Sequence, residues 1–256
     1  MNLFPILQRE FKSYFVSPIA YIVTFIFLLV SGYFFYTNLA WYAFVSLQMA
    51  SSTAEGVHDL NLTDGVLRPL FLNMSIVMLL MMPLLTMRLF SEEKKTGTIE
   101  LLLTYPIRDV EALLGKFGAC LAVFALMLAL TLVYVLLMAF YGDPESGPVI
   151  TGYLGLLMLG AAFIARGILA SSLTENQVVA AALSFGFLLL FWAISWATFF
   201  TGPKLGSVLT YLSLMDHLNS FSKGVIETKD VVYYLGFTFY CLFLTLRSLE
   251  SKRWRG

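Results

Sequence analysis

Six apolar runs, each about as long as a bilayer is thick, leave this chain few ways to fold. A hydrocarbon core about 30 Å thick is crossed by roughly 20 residues of α-helix. Runs of that length lie at about 19–38, 66–89, 117–141, 151–171, 178–200 and 231–249. Strands of a membrane barrel would alternate apolar and polar residues, whereas Leu121-Ala122-Val123-Phe124-Ala125-Leu126-Met127-Leu128 is apolar on every side. The spans are therefore expected to be helices in an all-α integral membrane protein. Of the 256 residues 59% are apolar and only 12% charged, about half the roughly 25% charge of a soluble domain. That excludes a soluble globular enzyme, a disordered chain and a nucleic-acid-binding domain with a basic face. The first run is too long for a signal-peptide core and lacks a small-residue cleavage site near its end, so it reads as a retained span.

Sixteen Lys and Arg balance sixteen Asp and Glu, so orientation rests on where the charges sit. With the N-terminus inside, the inner segments hold twelve cations: Arg9, Lys12, Arg88, Lys94, Lys95, Arg108, Lys116, Arg166, Arg247, Lys252, Arg253 and Arg255. The outer loops hold only four, Arg68, Lys204, Lys223 and Lys229, while acids divide eight and eight. Short cytoplasmic loops carry an excess of Lys and Arg, which places both termini in the cytoplasm.

Between the spans, residues 1–17 read as an amphipathic interface helix. Phe4, Leu7, Phe11, Tyr14 and Phe15 fall at helical spacing opposite Gln8, Arg9, Glu10 and Lys12, a pattern that lays its aromatic face in lipid. The loop at 90–106 has a charged head, a glycine and then Ile99, Leu101, Leu102 and Leu103, which suggests a short helix. Pro106 ends it, because the residue before a proline is pushed out of the helical region. A second helix with Val110, Leu113, Leu114 and Phe117 on one face runs into span three. Two short helices bent at a proline and joined to spans two and three form a lever. The turn between spans four and five offers a capping box, Thr174 with Gln177 or Ser172 with Glu175. Residues 39–65 read as an outer loop. Residues 201–230 are too apolar for a free loop and too interrupted to span, so they read as short outer helices capping the bundle.

Chemistry is sparse. No acid lies in the middle of any run, and Arg166 is the one clear interior charge, near enough to the inner end of span four to snorkel. Both histidines, His58 and His217, lie in outer segments, leaving no His-x-x-x-His zinc pair and no buried base for a serine nucleophile. Cys120 and Cys241 sit inside apolar runs and support neither a disulfide framework nor a zinc site. The pattern Gly-x-x-x-x-Gly-Lys-Ser/Thr is absent, so the chain is not expected to hydrolyse ATP through a P-loop of its own. No catalytic, cofactor or metal residue is expected.

The run from Phe90 to Ile107, the opening Arg9-Glu10-Phe11-Lys12-Ser13-Tyr14-Phe15 with Ser17-Pro18, and the turn Ser172-Leu173-Thr174-Glu175-Asn176-Gln177 closely resemble type-2 ABC export permeases. So does Phe221-Ser222-Lys223-Gly224-Val225-Ile226 followed by Asp230-Val231-Val232-Tyr233-Tyr234. The similarity covers essentially the whole chain and is nearest to the small six-span permeases of the gliding-motility and nitrous-oxide-reductase-maturation type. It implies one ABC-2 transmembrane domain over 1–256 that dimerises with a second copy of itself above two copies of a separate cytoplasmic ATPase, which holds the ATP and Mg and whose hydrolysis would drive substrate export or transmembrane force transmission. It also implies a dimer interface and path lined by spans one, two and five, a bacterial inner-membrane location, and an accompanying periplasmic accessory protein. The loop after span two becomes the coupling helix seated on the ATPase. Glu92, Glu93, Lys94 and Lys95 would be its polar contacts and Leu101, Leu102 and Leu103 its apolar ones, with Thr96, Gly97, Thr98 and Glu100 in the same stretch. Two other classes fit six spans: a carrier or channel that needs no ATPase, and a scaffold that recruits partners without transport.

Overall fold

A helix satisfies its own backbone hydrogen bonds, which lipid cannot do for it, and every apolar run is helical over its described residues. The structure is a computed structural model that describes residues 3–51, 61–98, 108–142, 144–197 and 202–253. Among them are ten α-helices: α1 (Leu3–Val16), α2 (Pro18–Ser51), α3 (Arg68–Thr86), α4 (Arg88–Lys95), α5 (Asp109–Tyr141), α6 (Ser146–Leu173), α7 (Gln177–Ala197), α8 (Pro203–Leu212), α9 (Leu214–Ser222) and α10 (Thr228–Arg253). A π-helical turn, Thr63–Leu67, leads into α3. Six segments are long and apolar enough to cross a membrane: Pro18–Met49, Thr63–Lys95, Asp109–Phe140, Ser146–Leu173, Gln177–Ile194 and Thr228–Ser251.

Two boundaries differ from expectation. The loop expected from residue 39 is helix as far as Ser51, so α2 has 34 residues and is about 51 Å long at 1.5 Å per residue. Asn38, Ser46 and Gln48 lower the hydropathy there, but no glycine or proline follows Gly32 before residue 52 to stop the helix. Hydropathy marks where the membrane ends, not where the helix does. The turn before α7 closes on Asn176. Its Oδ1 accepts from the Val178 N–H at 2.9 Å, while Thr174 Oγ1 accepts from the Asn176 N–H at 3.2 Å. Neither expected capping box forms; Ser172 is buried with its hydroxyl donating to the Leu169 carbonyl at 2.8 Å.

α6 is the hub, packed along α3, α5, α7, α9 and α10. Helix association in lipid depends on close packing at small residues, and α6 supplies them on several sides. An added Cβ at Gly152 would lie 2.2 Å from the Phe71 ring, at Gly155 2.6 Å from Phe221 Cβ, at Gly160 2.0 Å from the Phe124 ring and at Gly167 2.0 Å from Thr86 Oγ1. At the face opposite the termini, α9 is pinned to α10. Tyr234 Oη donates to the Leu214 carbonyl at 2.7 Å, and His217 Nδ1 meets Asp230 Oδ1 at 2.6 Å. His217 is thus buried, contrary to the expectation of an outer histidine with no buried role. Its Nε2 lies 2.9 Å from the Tyr211 carbonyl and its ring stacks on Tyr233 at 4.0 Å. Residue 58 falls outside the described residues.

Gly160→Val drives a branched side chain into Phe124. It should lower the thermal midpoint of the purified protein by the equivalent of about 1–3 kcal/mol or more. Gly147→Ala, where nothing lies within 4 Å of an added Cβ, should leave the midpoint unchanged or slightly raised. Equal shifts in scanning denaturation would show that α6 is not packed in this way.

Candidate coupling site at the Lys/Arg-rich face

Pro83 lies inside α3 and brings no N–H to the helix ladder, and the helix breaks one turn later at Met87. α4 resumes at Arg88, so the charged head of the loop is a rigid continuation of span two. The end of α6 clamps the break. Ser171 Oγ accepts from the N–H groups of Phe90 and Ser91, each at 3.0 Å, and donates to the Met87 carbonyl at 2.9 Å. Lys94 Nζ donates to the Ser172 carbonyl, one of the last-turn carbonyls that lack a helical partner, and a cation is favoured at that end of a helix.

Lys116 ties three elements together. It stands on the buried stripe of α5, in register with Ala112, Leu113, Ala119, Cys120 and Val123. Its side chain is only 3% exposed, and Nζ lies 2.6 Å from Glu93 Oε1 on α4 and 3.1 Å from Glu10 Oε1 on α1. The Phe90 ring lies 5.4 Å from the same ammonium. Glu93 Oε2 has no hydrogen-bond partner among the described residues, and in the triad one ammonium faces two carboxyl groups. α1 is held at further points. Tyr14 Oη donates to the Leu85 carbonyl at 3.1 Å, and Arg88 Nη1 donates to Ser17 Oγ at 2.7 Å. Ile6 and Leu7 sit over Gly115 and Gly118 of α5, where added Cβ atoms would meet them at 2.6 Å and 3.0 Å.

The structure therefore sorts the loop residues. Glu92, Lys95, Thr96, Gly97 and Thr98 face outward, whereas Glu93 is half-buried and Lys94 buried, both engaged within the chain. Gly97 adopts φ +71° with nothing within 4 Å of an added Cβ, the left-handed residue that commonly ends a helix. Ile99, Glu100, Leu101, Leu102, Leu103 and Pro106 fall outside the described residues. The second arm of the lever is the start of α5 itself, where Leu113 is buried while Val110 and Leu114 are exposed.

The interface helix also departs from expectation. Phe4 and Phe15 are exposed, but Leu7 and Phe11 are half-buried and Tyr14 is buried. The glycines of α5 make a groove for this face, and the Tyr14 hydroxyl reaches a carbonyl that the helix break leaves open. Periodicity alone did not single out Lys116, Glu10, Ser171 or Ser172. One clue was present for the first: a lysine on the stripe 112, 113, 116, 119, 120 of an otherwise apolar helix.

Over residues 4–245 the sequence matches the family described as ABC-2 family transporter protein. The chain belongs to the ABC-2 transporter family. It is a multi-pass membrane protein and the permease component of an ABC transporter, a transport part rather than a catalyst, in a family that works with an ABC ATPase. A comparison with curated proteins gave no match.

Removing one partner of a buried ion pair costs about 3–5 kcal/mol, because the remaining charge is left unpaired. Lys116→Met leaves Glu10 and Glu93 facing each other and should lower the denaturation midpoint by an amount in that range. Adding Glu93→Gln should restore part of the loss. No destabilisation, or no rescue, in thermal scans of the purified variants would remove the triad as the tie between α1, α4 and α5.

Proposed function

We propose that this ABC-2 permease is one half of a homodimeric exporter in a bacterial inner membrane, moved by a separate ATPase that docks on α4 and the residues after it. The junction around Lys116 carries the reading. α4 is hydrogen-bonded to the end of α6 and ion-paired to α5, whose Lys116 also pairs with Glu10 of α1, so a load on α4 reaches several membrane helices through buried contacts rather than through a loose loop. The Lys/Arg-rich face is then cytoplasmic. ATP and Mg belong to the ATPase, present in two copies, and this chain binds neither. Glu92, Lys95, Thr96 and Thr98, together with Glu100, Leu101, Leu102 and Leu103, form the docking surface, while Glu93 and Lys94 transmit its displacement inward. This family reading, nearest to the gliding-motility and nitrous-oxide-reductase-maturation type, places an accessory protein on the outer face beside α8 and α9.

Reversing Glu92 and Lys95 together should weaken copurification of the ATPase and uncouple hydrolysis from transport, with the denaturation midpoint unchanged. Glu93→Ala should instead lower the midpoint. Unaltered coupling and unaltered ATPase affinity in the Glu92/Lys95 variant would refute docking at this surface.

The second copy is placed against α2 and α7. Tyr21, Phe25, Leu29, Tyr33 and Tyr36 form an exposed apolar stripe along α2, and α7 also exposes most of its length. A cysteine at Phe25, 65% exposed, should cross-link two copies in membranes, whereas one at Phe239 on α10, 72% exposed, should not. The reverse pattern would move the interface to α10.

A further inference from the structure

Arg166 lies on α6 about 10 Å short of the helix end at Leu173, at 1.5 Å per residue. Its guanidinium stacks 3.9 Å from the centroid of the Phe187 ring on α7. One turn toward the opposite face, Phe191 of α7 and Phe237 of α10 meet edge to face at 5.6 Å. α6 packs along both of these helices, which touch each other far less. Arg166 therefore stands where α6 meets α7 and α10, on the Lys/Arg-rich side of that aromatic pair.

The guanidinium is not satisfied there. Nε and Nη1 are enclosed and have no hydrogen-bond partner among the described residues, and neither has Ser184 Oγ. Ser184 lies three residues before Phe187, on the same face of α7. Arg166 is half-buried, and donors enclosed without a partner are costly. The sequence has no Asp or Glu at 18–54, 65–91, 112–142, 146–174, 176–215 or 231–249. Neither this chain nor a second copy can thus bring a carboxylate to that depth, and the counter-anion comes from outside the protein.

We propose that Arg166 binds the phosphate of an anionic phospholipid from the adjoining leaflet, with the acyl chains lying along the exposed faces of α7 and α10. The guanidinium fork matches a phosphate in a bidentate pair, and Leu183 and Leu190, exposed on α7, suit an acyl chain better than a soluble ion. A phospholipid brings both parts in one molecule. The site holds whether or not an ATPase docks at α4.

The test is native mass spectrometry of the purified full chain, delipidated and then given phosphatidylglycerol or phosphatidylcholine. The wild type should retain phosphatidylglycerol preferentially, Arg166→Met should lose that preference about tenfold or more, and Arg166→Lys should fall between. Equal retention by Arg166→Met overturns the proposal. So does displacement of the lipid by millimolar inorganic phosphate, which assigns the site to a soluble anion. Should Arg166→Met fail to fold, Phe187→Trp keeps the arginine and adds a fluorophore to its stack. Phosphatidylglycerol with brominated chains should quench that added emission more than brominated phosphatidylcholine, and equal quenching overturns the proposal.

Discussion

A charge buried where a helix leaves the membrane has to find its partner inside the protein, and the Lys/Arg-rich end of this molecule is organised around that demand. Lys116 draws a carboxylate from α1 and another from α4 onto α5. Lys94 is drawn onto the free carbonyl of Ser172 at the end of α6. Desolvation makes such pairs weak contributors to net stability but expensive to break. They act less as glue than as registration, fixing how α1, α4, α5 and α6 stand relative to one another.

That registration matters because the apolar contacts around it are not directional. Within lipid no hydrophobic force draws one helix to another, and association follows from close packing and a few polar ties. The glycines of α6 supply the packing at four levels, against Phe71, Phe221, Phe124 and Thr86. Polar ties close the bundle at both ends: Ser171, Lys94 and Lys116 at one, His217 with Asp230 and Tyr234 at the other. The middle is held by shape and the ends by chemistry.

Helix existence and span count could be read from the sequence because the length of an apolar run is set by the bilayer. The helix ends could not, because they depend on breakers and caps rather than on hydropathy. α2 continues through Asn38 and Gln48, and the cap of α7 falls on Asn176 rather than on Thr174. The region of the candidate site was equally legible, since a charged head followed by glycine stands out between two apolar runs. The inward turn of Glu93 and Lys94 was not. Four successive charged residues look alike in sequence, and which of them meets a partner depends on the end of α6 and the start of α5, far away along the chain. The same holds for Tyr14 and His217, whose burial answers to distant acceptors.

The uneven distribution of packing has a mechanical consequence. α3 and α6 are buried along much of their length, α5 packs on α6, and α1 and α4 are locked to them through Tyr14, Ser171 and Lys116. α7 and α10 expose most of their surface, and α2 presents a long apolar stripe outward. A load entering at α4 meets no soft joint before the core, because the break at Met87 is bridged by Ser171. The centre, with α10 packed along α6, must then move as one body, and relative motion falls to the borders with α2 and α7. Packed cores switch between discrete arrangements rather than deforming smoothly. Arg166 stacks on Phe187 across the border of α6 with α7, so any rotation of α6 against α7 changes that contact.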